Sequence, residues 1–459
     1  MKVTSHGAAR QVTGSKHLVE LDGKKILLDC GMFQGRRDDS NRKNREFGFD
    51  PKDLEAVVLS HAHIDHCGLL PLLVKKGFKG TIYTTPATRD LCSIMLQDCA
   101  HIQQRDAEFL SKKKQGCVPP LYDDNDVQQA MKRFVSVPYE VPVPLLPNMK
   151  LTLRNAGHVL GSAMIDLEYE EGGQSRSFIF TGDIGRKNMP ILEDPWEPTE
   201  ADTVMMESTY GNRDHDPIEQ VDEKLAAIIQ ETVDRGGKII IPTFALERAQ
   251  EVIFSLKRLE MKNLIPDIPV FVDSPMTVNI TEVFRLHTES FDEQFREVMQ
   301  EAGNPFELKN IRYVRDRQQS MEINKRKGPA IILSASGMCE FGRIVHHLRN
   351  NCEDKNSTIL IVGYQAQHTL GRRIVERARQ IKIFGVKHDL NAQVKVMNEF
   401  SAHAGQRSLL AFARRFRNYG SNIVLVHGED EALKVLKGEL DQDGFPSVSI
   451  QEEGVPIEV

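Results

Sequence analysis

His61, His63, Asp65 and His66 stand within six residues of one another, directly after the apolar run 56–59. A short β-branched run of this kind reads as a buried strand, and α/β folds build their sites at the carboxyl ends of strands. In such a turn His61 and His63 can reach one metal while Asp65 and His66 face a second. Imidazole and carboxylate donors without cysteine suit a catalytic zinc with open positions better than a closed structural site. The bland alternative, a polar loop that happens to be rich in histidine, leaves the ligand spacing after a hydrophobic strand unexplained.

Four side chains do not fill two metal shells, so more ligands are expected downstream. His158 follows Asn155-Ala156-Gly157, Asp183 follows Thr181-Gly182, and His427 sits in Val426-His427-Gly428. Each ends a strand-like run beside a glycine, which lets backbone come close to a metal. Alone, each is an ordinary histidine or turn aspartate. Together they repeat one structural place.

At 459 residues the chain is long enough for two or three domains of ~150 residues. Strand-like runs dominate the first half, at His17–Leu21, 26–28, 56–60 and 80–85. Helical character covers 88–110, a basic loop follows at Lys112, Lys113 and Lys114, and strands return at 151–153, 163–170, 177–181 and Thr203–Glu207. The triple lysine is read as a solvated surface, with RNA contact as its alternative. From Gly211 the rhythm changes to helices (218–235, 246–259) alternating with continuous apolar strands (238–241, Val270–Val272, 330–333, 358–362). That alternation predicts a parallel sheet covered on both faces. After Leu390 the earlier style resumes. We therefore expect one domain at 1–208, an insert at 209–391, and the first domain again at 392–459.

A net charge of −6, from 59 basic and 65 acidic residues, neither requires nor excludes a nucleic-acid partner. Seven cysteines with no C-x-x-C pair indicate free thiols in a reducing compartment, not a disulfide framework. Residues 1–10 lack the apolar stretch of a secretory leader, and no apolar run approaches the ~20 residues of a membrane span. A cytoplasmic enzyme with no membrane partner is the expectation, and the missing leader counts against a secreted lactamase. No separate RNA-binding module is expected outside the two domains.

These motifs resemble the metallo-β-lactamase superfamily, with Asp29 in Leu27-Leu28-Asp29-Cys30-Gly31 similar to its first motif. Within it the chain resembles the β-CASP branch of nucleic-acid nucleases, through Glu207-Ser208-Thr209-Tyr210-Gly211, Ser401-Ala402-His403-Ala404 and Val426-His427-Gly428-Glu429. The resemblance spans almost the whole chain. It implies an αββα sandwich with an inserted parallel α/β β-CASP domain. It also implies two zinc ions: His61, His63 and His158 on one, Asp65, His66 and His427 on the other, Asp183 bridging, and Asp29 orienting ligands. Such a pair suits in-line displacement at phosphorus. The resemblance assigns His403, paired with Glu207, to protonating the leaving oxygen. A histidine there is similar to RNA-processing members, so single-stranded RNA is the expected substrate. The family covers both endonucleases and 5′-to-3′ exonucleases, and a homodimer is compatible with it.

Three junctions in the insert combine small polar residues with a following helix: Pro242-Thr243-Phe244-Ala245, Ser334-Ala335-Ser336-Gly337-Met338, and Gly363-Tyr364 leading to Thr369-Leu370-Gly371-Arg372-Arg373. Ser334, Ser336, Gly337, Thr369 and Arg372 are the expected RNA phosphate contacts, with plain helix capping as the alternative. Gln367-His368 departs from the Glu-Gly usual in the family, which puts local substrate contacts in doubt. Two other functions compete: a small-molecule hydrolase of the thioesterase or lactamase type, and a non-catalytic RNA-binding homologue. The first has no use for the large insert, and the second typically lacks ligands that are all present here.

Overall fold

A computed structural model describes residues 1–459 except 36, 115–118, 217, 364 and 367. Cys117, Tyr364 and Gln367 therefore lie outside the described residues. The other six cysteines are free thiols. Contacts divide the chain into two compact units. The first contains Met1–Lys187, Asp194–Asp214 and Ala402–Val459, and the second contains Asn188–Glu193 and His215–Ser401.

The first unit is built on two seven-stranded sheets. One runs Pro456–Glu458, Lys2–Ser5, His17–Leu21, Lys24–Leu28, Leu54–Val58, Thr81–Thr84, Phe134–Ser136 in spatial order. The other runs Ser447–Ile450, Asn422–Val426, Thr203–Glu207, Gln174–Phe180, Ala163–Glu171, Met149–Asn155, Val143–Leu146. Alternating residues of both sheets meet in one core: Val3, Val19, Ile26, Leu28 and Val58 from the first, Leu153, Ile165, Phe178, Met205 and Val424 from the second. The outer face of the second sheet buries Ile179, Val204, Met206 and Leu425 beneath the helices Gln406–Arg414 and Asp430–Gln442. Helices Leu70–Lys75, Pro86–Lys114 and Asp124–Met131 belong to the same unit. The architecture is the expected αββα sandwich. Helix Pro86–Lys114 carries on through Lys112 to Lys114, where a loop was expected.

The second unit holds a six-stranded sheet, parallel at every pairing, in the order Ile311–Tyr313, Val270–Val272, Ala330–Ser334, Lys238–Pro242, Thr358–Ile361, Gln393–Val396. Continuous apolar runs such as Ile239-Ile240-Ile241 and Ile331-Ile332-Leu333 are fully buried, as a sheet covered on both faces requires. The strand at 393–396 corrects the expected boundary at 391. It pairs in parallel with Thr358–Ile361, so the insert runs on to Ser401. Alternating character alone does not say which sheet a short strand joins. Among the described residues, no helix is long and apolar enough to cross a membrane.

Candidate metal centre

Every metal-competent residue singled out from the sequence lies at a strand end of the first unit. Main-chain hydrogen bonds stitch the loops together: Cys30 N–H donates to the His66 carbonyl (2.7 Å), and Ser15 N–H to that of Asp65 (2.8 Å). The Gly185 N–H reaches the Ala156 carbonyl (2.8 Å), tying the Asp183 loop to the His158 loop, and Ala404 N–H reaches Ile184 (2.8 Å), bringing in His403. These approaches need glycine. A β-carbon on Gly31 would lie 1.6 Å from the Asp65 carbonyl oxygen, and one on Gly185 would lie 1.8 Å from that of Gly157. Asp29 and His427 turn out of their strands with φ of 59° and 49°, a strained conformation for residues bearing a β-carbon.

The loops converge on two donor groups. In the first, His61 Nε2 lies 3.1 Å from His63 Nδ1, which lies 3.3 Å from His158 Nε2. Asp183 Oδ2 is 3.6 Å from His61 Nε2 and 3.5 Å from His158 Nε2. In the second, His66 Nε2 lies 3.2 Å from His427 Nε2, and His427 Nε2 lies 3.8 Å from Asp65 Oδ2. The other Asp183 oxygen, Oδ1, faces this group, 3.4 Å from His66 Nε2 and 3.5 Å from His427 Nδ1.

A metal suits this arrangement. Ligands held ~2.0–2.1 Å from a tetrahedral ion are about 3.3 Å apart, and the imidazole nitrogens stand at that spacing. Lone pairs so close repel unless a cation lies between them. Asp183 Oδ1 is buried with no hydrogen-bond donor among the described residues. The ligand atoms of His61, His63, His158 and Asp183 all lie within 4.8 Å of one another, and so do those of Asp65, His66 and His427.

Burial and the neighbouring imidazoles hold His61 and His158 well below the usual histidine range, and burial carries His63 down to about 4. These three rings are therefore neutral, as ligands must be. Burial also opposes charge on His66, but Asp183 and Asp29 outweigh it and push its pKa well up. In Asp183 burial is outweighed by the surrounding imidazoles, which hold the carboxyl well below its ordinary range.

Hydrogen bonds around the donors fix which nitrogen faces inward. His66 Nδ1–H donates to Asp29 Oδ2 at 2.7 Å, leaving Nε2 free. Asp29 also accepts from Ser15 Oγ (3.0 Å) and Ser60 Oγ (3.1 Å). His61 Nδ1 lies 3.0 Å from Ser60 Oγ. Thr209 Oγ1 meets His427 Nδ1 at 3.2 Å and the His427 carbonyl at 3.1 Å. Ser15, Ser60 and Thr209 were given no role from the sequence. Thr209 stands inside a quoted motif and Ser60 directly before His61, so adjacency was the available signal. Ser15 carried none.

His403 and Glu207 form a separate pair at the edge of the donor groups. His403 Nδ1 is 3.2 Å from both Glu207 oxygens. The carboxylate is fully buried and also accepts from Ile184 N–H at 2.6 Å. Burial disfavours charge on His403, yet Glu207, with Asp183 behind it at 3.8 Å, raises its pKa to about 10. The His403 side chain keeps 22% exposure, so one end of a protonated ring reaches solvent.

The expected phosphate contacts fare unevenly. Ser334 is buried and its hydroxyl donates to the Asp273 carbonyl at 2.7 Å. Thr369 caps its helix, accepting from Arg372 N–H at 3.1 Å. Gly337 is buried, with the Phe244 ring directly over it. The Ser334 and Thr369 hydroxyls are thus already engaged within the second unit. Ser336 is half-buried, and Arg372 is half-exposed with its Nε bonded to Glu376 at 2.7 Å.

Residues 12–104 match the metallo-beta-lactamase superfamily, 249–374 the Beta-Casp domain, and 387–451 the Zn-dependent metallo-hydrolase RNA specificity domain. The chain is 36% identical to Ribonuclease TTHA0252 of Thermus thermophilus over 459 residues, 100% of both chains. It is 32% identical to the transcription termination factor FttA of Methanocaldococcus jannaschii over 439 residues, 94% of this chain and 67% of that one. A crystal structure of a protein of unknown function from Enterococcus faecalis V583 shares the fold, with TM-score 0.57 and 14% identity, covering 100% of this chain and 99% of that one. With full-length similarity and all three domain matches in order, the chain belongs to the Beta-Casp family of the metallo-β-lactamase superfamily.

Proposed function

We propose that this protein is a cytoplasmic, zinc-dependent RNA nuclease that hydrolyses phosphodiester bonds of single-stranded RNA at a two-metal site. His61, His63 and His158 would hold one ion, Asp65, His66 and His427 the other, and Asp183 would give one oxygen to each. When bound, two zinc ions activate water and neutralise charge on a phosphodiester.

The observation that carries the reading is the His403–Glu207 pair. Neither residue is needed to fill a metal shell. Glu207 holds Nδ1, so the proton on Nε2 is the one available to the leaving oxygen. A thioester or lactam site has no need of this second, buried carboxylate. The names of the relatives, a ribonuclease and a termination factor, point the same way. Ser336 and Arg372 remain the phosphate contacts we favour in the second unit.

End-labelled RNA carrying a 5′-triphosphate, monophosphate or hydroxyl tests the reading and separates internal from terminal cutting. RNA should be cut faster than DNA of matched sequence, and faster than a thioester or β-lactam. Equal or faster cutting of the DNA would remove the case for RNA.

A further inference from the structure

We propose that Phe244 is a stacking platform for a nucleobase of single-stranded RNA. The proposal rests on the nuclease reading above and extends it to a binding residue in the second unit.

Strand Lys238–Pro242 lies between Ala330–Ser334 on one side and Thr358–Ile361 on the other. The chain first leaves this central strand toward Val270–Val272, beyond Ala330–Ser334, and later crosses to Thr358–Ile361. The sheet order therefore reverses here. Open parallel sheets bind ligands at the carboxyl ends of strands where this reversal occurs. Phe244 sits two residues past the end of the central strand.

Phe244 is 41% exposed. One edge of its ring rests on glycine: a β-carbon at Gly337 would lie 2.8 Å from Cδ2 and 2.9 Å from Cε2, and one at Gly363 would lie 3.6 Å from Cε2. Those two glycines follow the two neighbouring strands. The Gln365 side chain ties them together, its Nε2 donating to the Gly337 carbonyl at 3.0 Å and the Gly363 carbonyl at 3.1 Å. The ring is thus seated on a braced floor, with part of its surface left to solvent. A rigid, partly exposed aromatic offers a base its π face at little ordering cost, and such stacking tolerates any sequence because every base has a π face.

The test is single-turnover cleavage of a short RNA by the metal-loaded protein, over a range of enzyme concentrations. Stacking is worth roughly 1–3 kcal/mol, so Phe244→Leu should raise the half-saturating concentration about 5- to 150-fold. The plateau rate and zinc content should stay near wild type. Phe244→Tyr should restore binding. An RNA series with one abasic position moved along the strand should show one position that weakens wild-type binding but not that of Phe244→Leu. Gly337→Ala, which displaces the ring, should resemble Phe244→Leu. RNA cleavage with unchanged half-saturation in Phe244→Leu, or no abasic position that distinguishes the two proteins, overturns the platform and leaves the nuclease standing. A wild-type protein that neither binds nor cuts RNA overturns both.

Discussion

Asp29 and His66 meet at 2.7 Å in the buried floor of the metal centre, with the carboxylate accepting the Nδ1 proton. The same carboxylate reaches His61 indirectly, through the Ser60 hydroxyl. One acidic residue thus orients a ligand in each donor group, directly in the second and through an intermediary in the first.

Outer partners of metal ligands are typically worth 10–100-fold in affinity. Asp29→Ala should weaken the second zinc by about that factor and the first by less, measured by chelator competition. Ser60→Ala should show the opposite order. Wild-type protein purified without chelator should hold close to two zinc equivalents. A ceiling of one under zinc-replete conditions would overturn the dinuclear assignment.

His403→Ala should slow RNA cleavage by about 10²–10⁴-fold with zinc content unchanged, the usual contribution of a general acid. Glu207→Gln should also be slow, and the double variant far from additive. A nitrophenyl phosphodiester, whose leaving group needs no proton, should be much less sensitive. Equal slowing of both substrates would make His403 a positioning residue instead.

Removing zinc should make stability depend on acid. His61, His63 and His158 are held below the ordinary value of 6.5, and so is His17, a buried residue that is not a ligand. A lowered histidine pKa means that the unfolded chain takes up the proton first, so stability is full above pH 6.5 and falls below it. Each ring contributes at most about 1.4 kcal/mol per pH unit. His66 and His403 are raised, so their contribution builds as pH falls toward 6.5 and is constant below it. The thermal midpoint of metal-free protein should therefore drop between pH 6.5 and 5. The zinc-loaded protein should drop less, since bound imidazoles resist protonation. A rising midpoint in the metal-free protein would contradict the assignment of neutral rings.

Two glycine substitutions should separate the metals. Gly31→Ala would push into the Asp65 backbone and Gly185→Ala into that of Gly157, next to His158. The first should weaken the second zinc and the second the first, each by at least about 10-fold. Loss of both metals in either variant would mean that the loops respond as one body.

The candidate ligands were legible because they recur at one place in the pattern: apolar run, small residue, donor. The parallel insert was legible from the change of rhythm at Gly211, and the sandwich from the resemblance to the metallo-β-lactamase superfamily. The end of the insert was not, because strand Gln393–Val396 alternates like the strands of the first unit although it joins the other sheet. Ser334 and Thr369 look identical in sequence to residues that bind phosphate. Only their hydrogen bonds, to Asp273 and to the backbone of Arg372, show the hydroxyls already used. The bond from Ser15 to Asp29 was equally invisible, since it depends on two loops meeting in the folded chain.

His66 and His427 face each other across 361 residues of sequence, and the strand Pro456–Glu458 pairs with Lys2–Ser5. Translation delivers these partners far apart in time. A chain still on the ribosome that has just completed its insert at Ser401 has its first histidines but lacks His403 and the donor at 427 that closes the second group. The second donor group therefore closes only after residue 427 has been made, and a shorter nascent product is without it. In a cell full of RNA, activity arrives only once the sandwich can close.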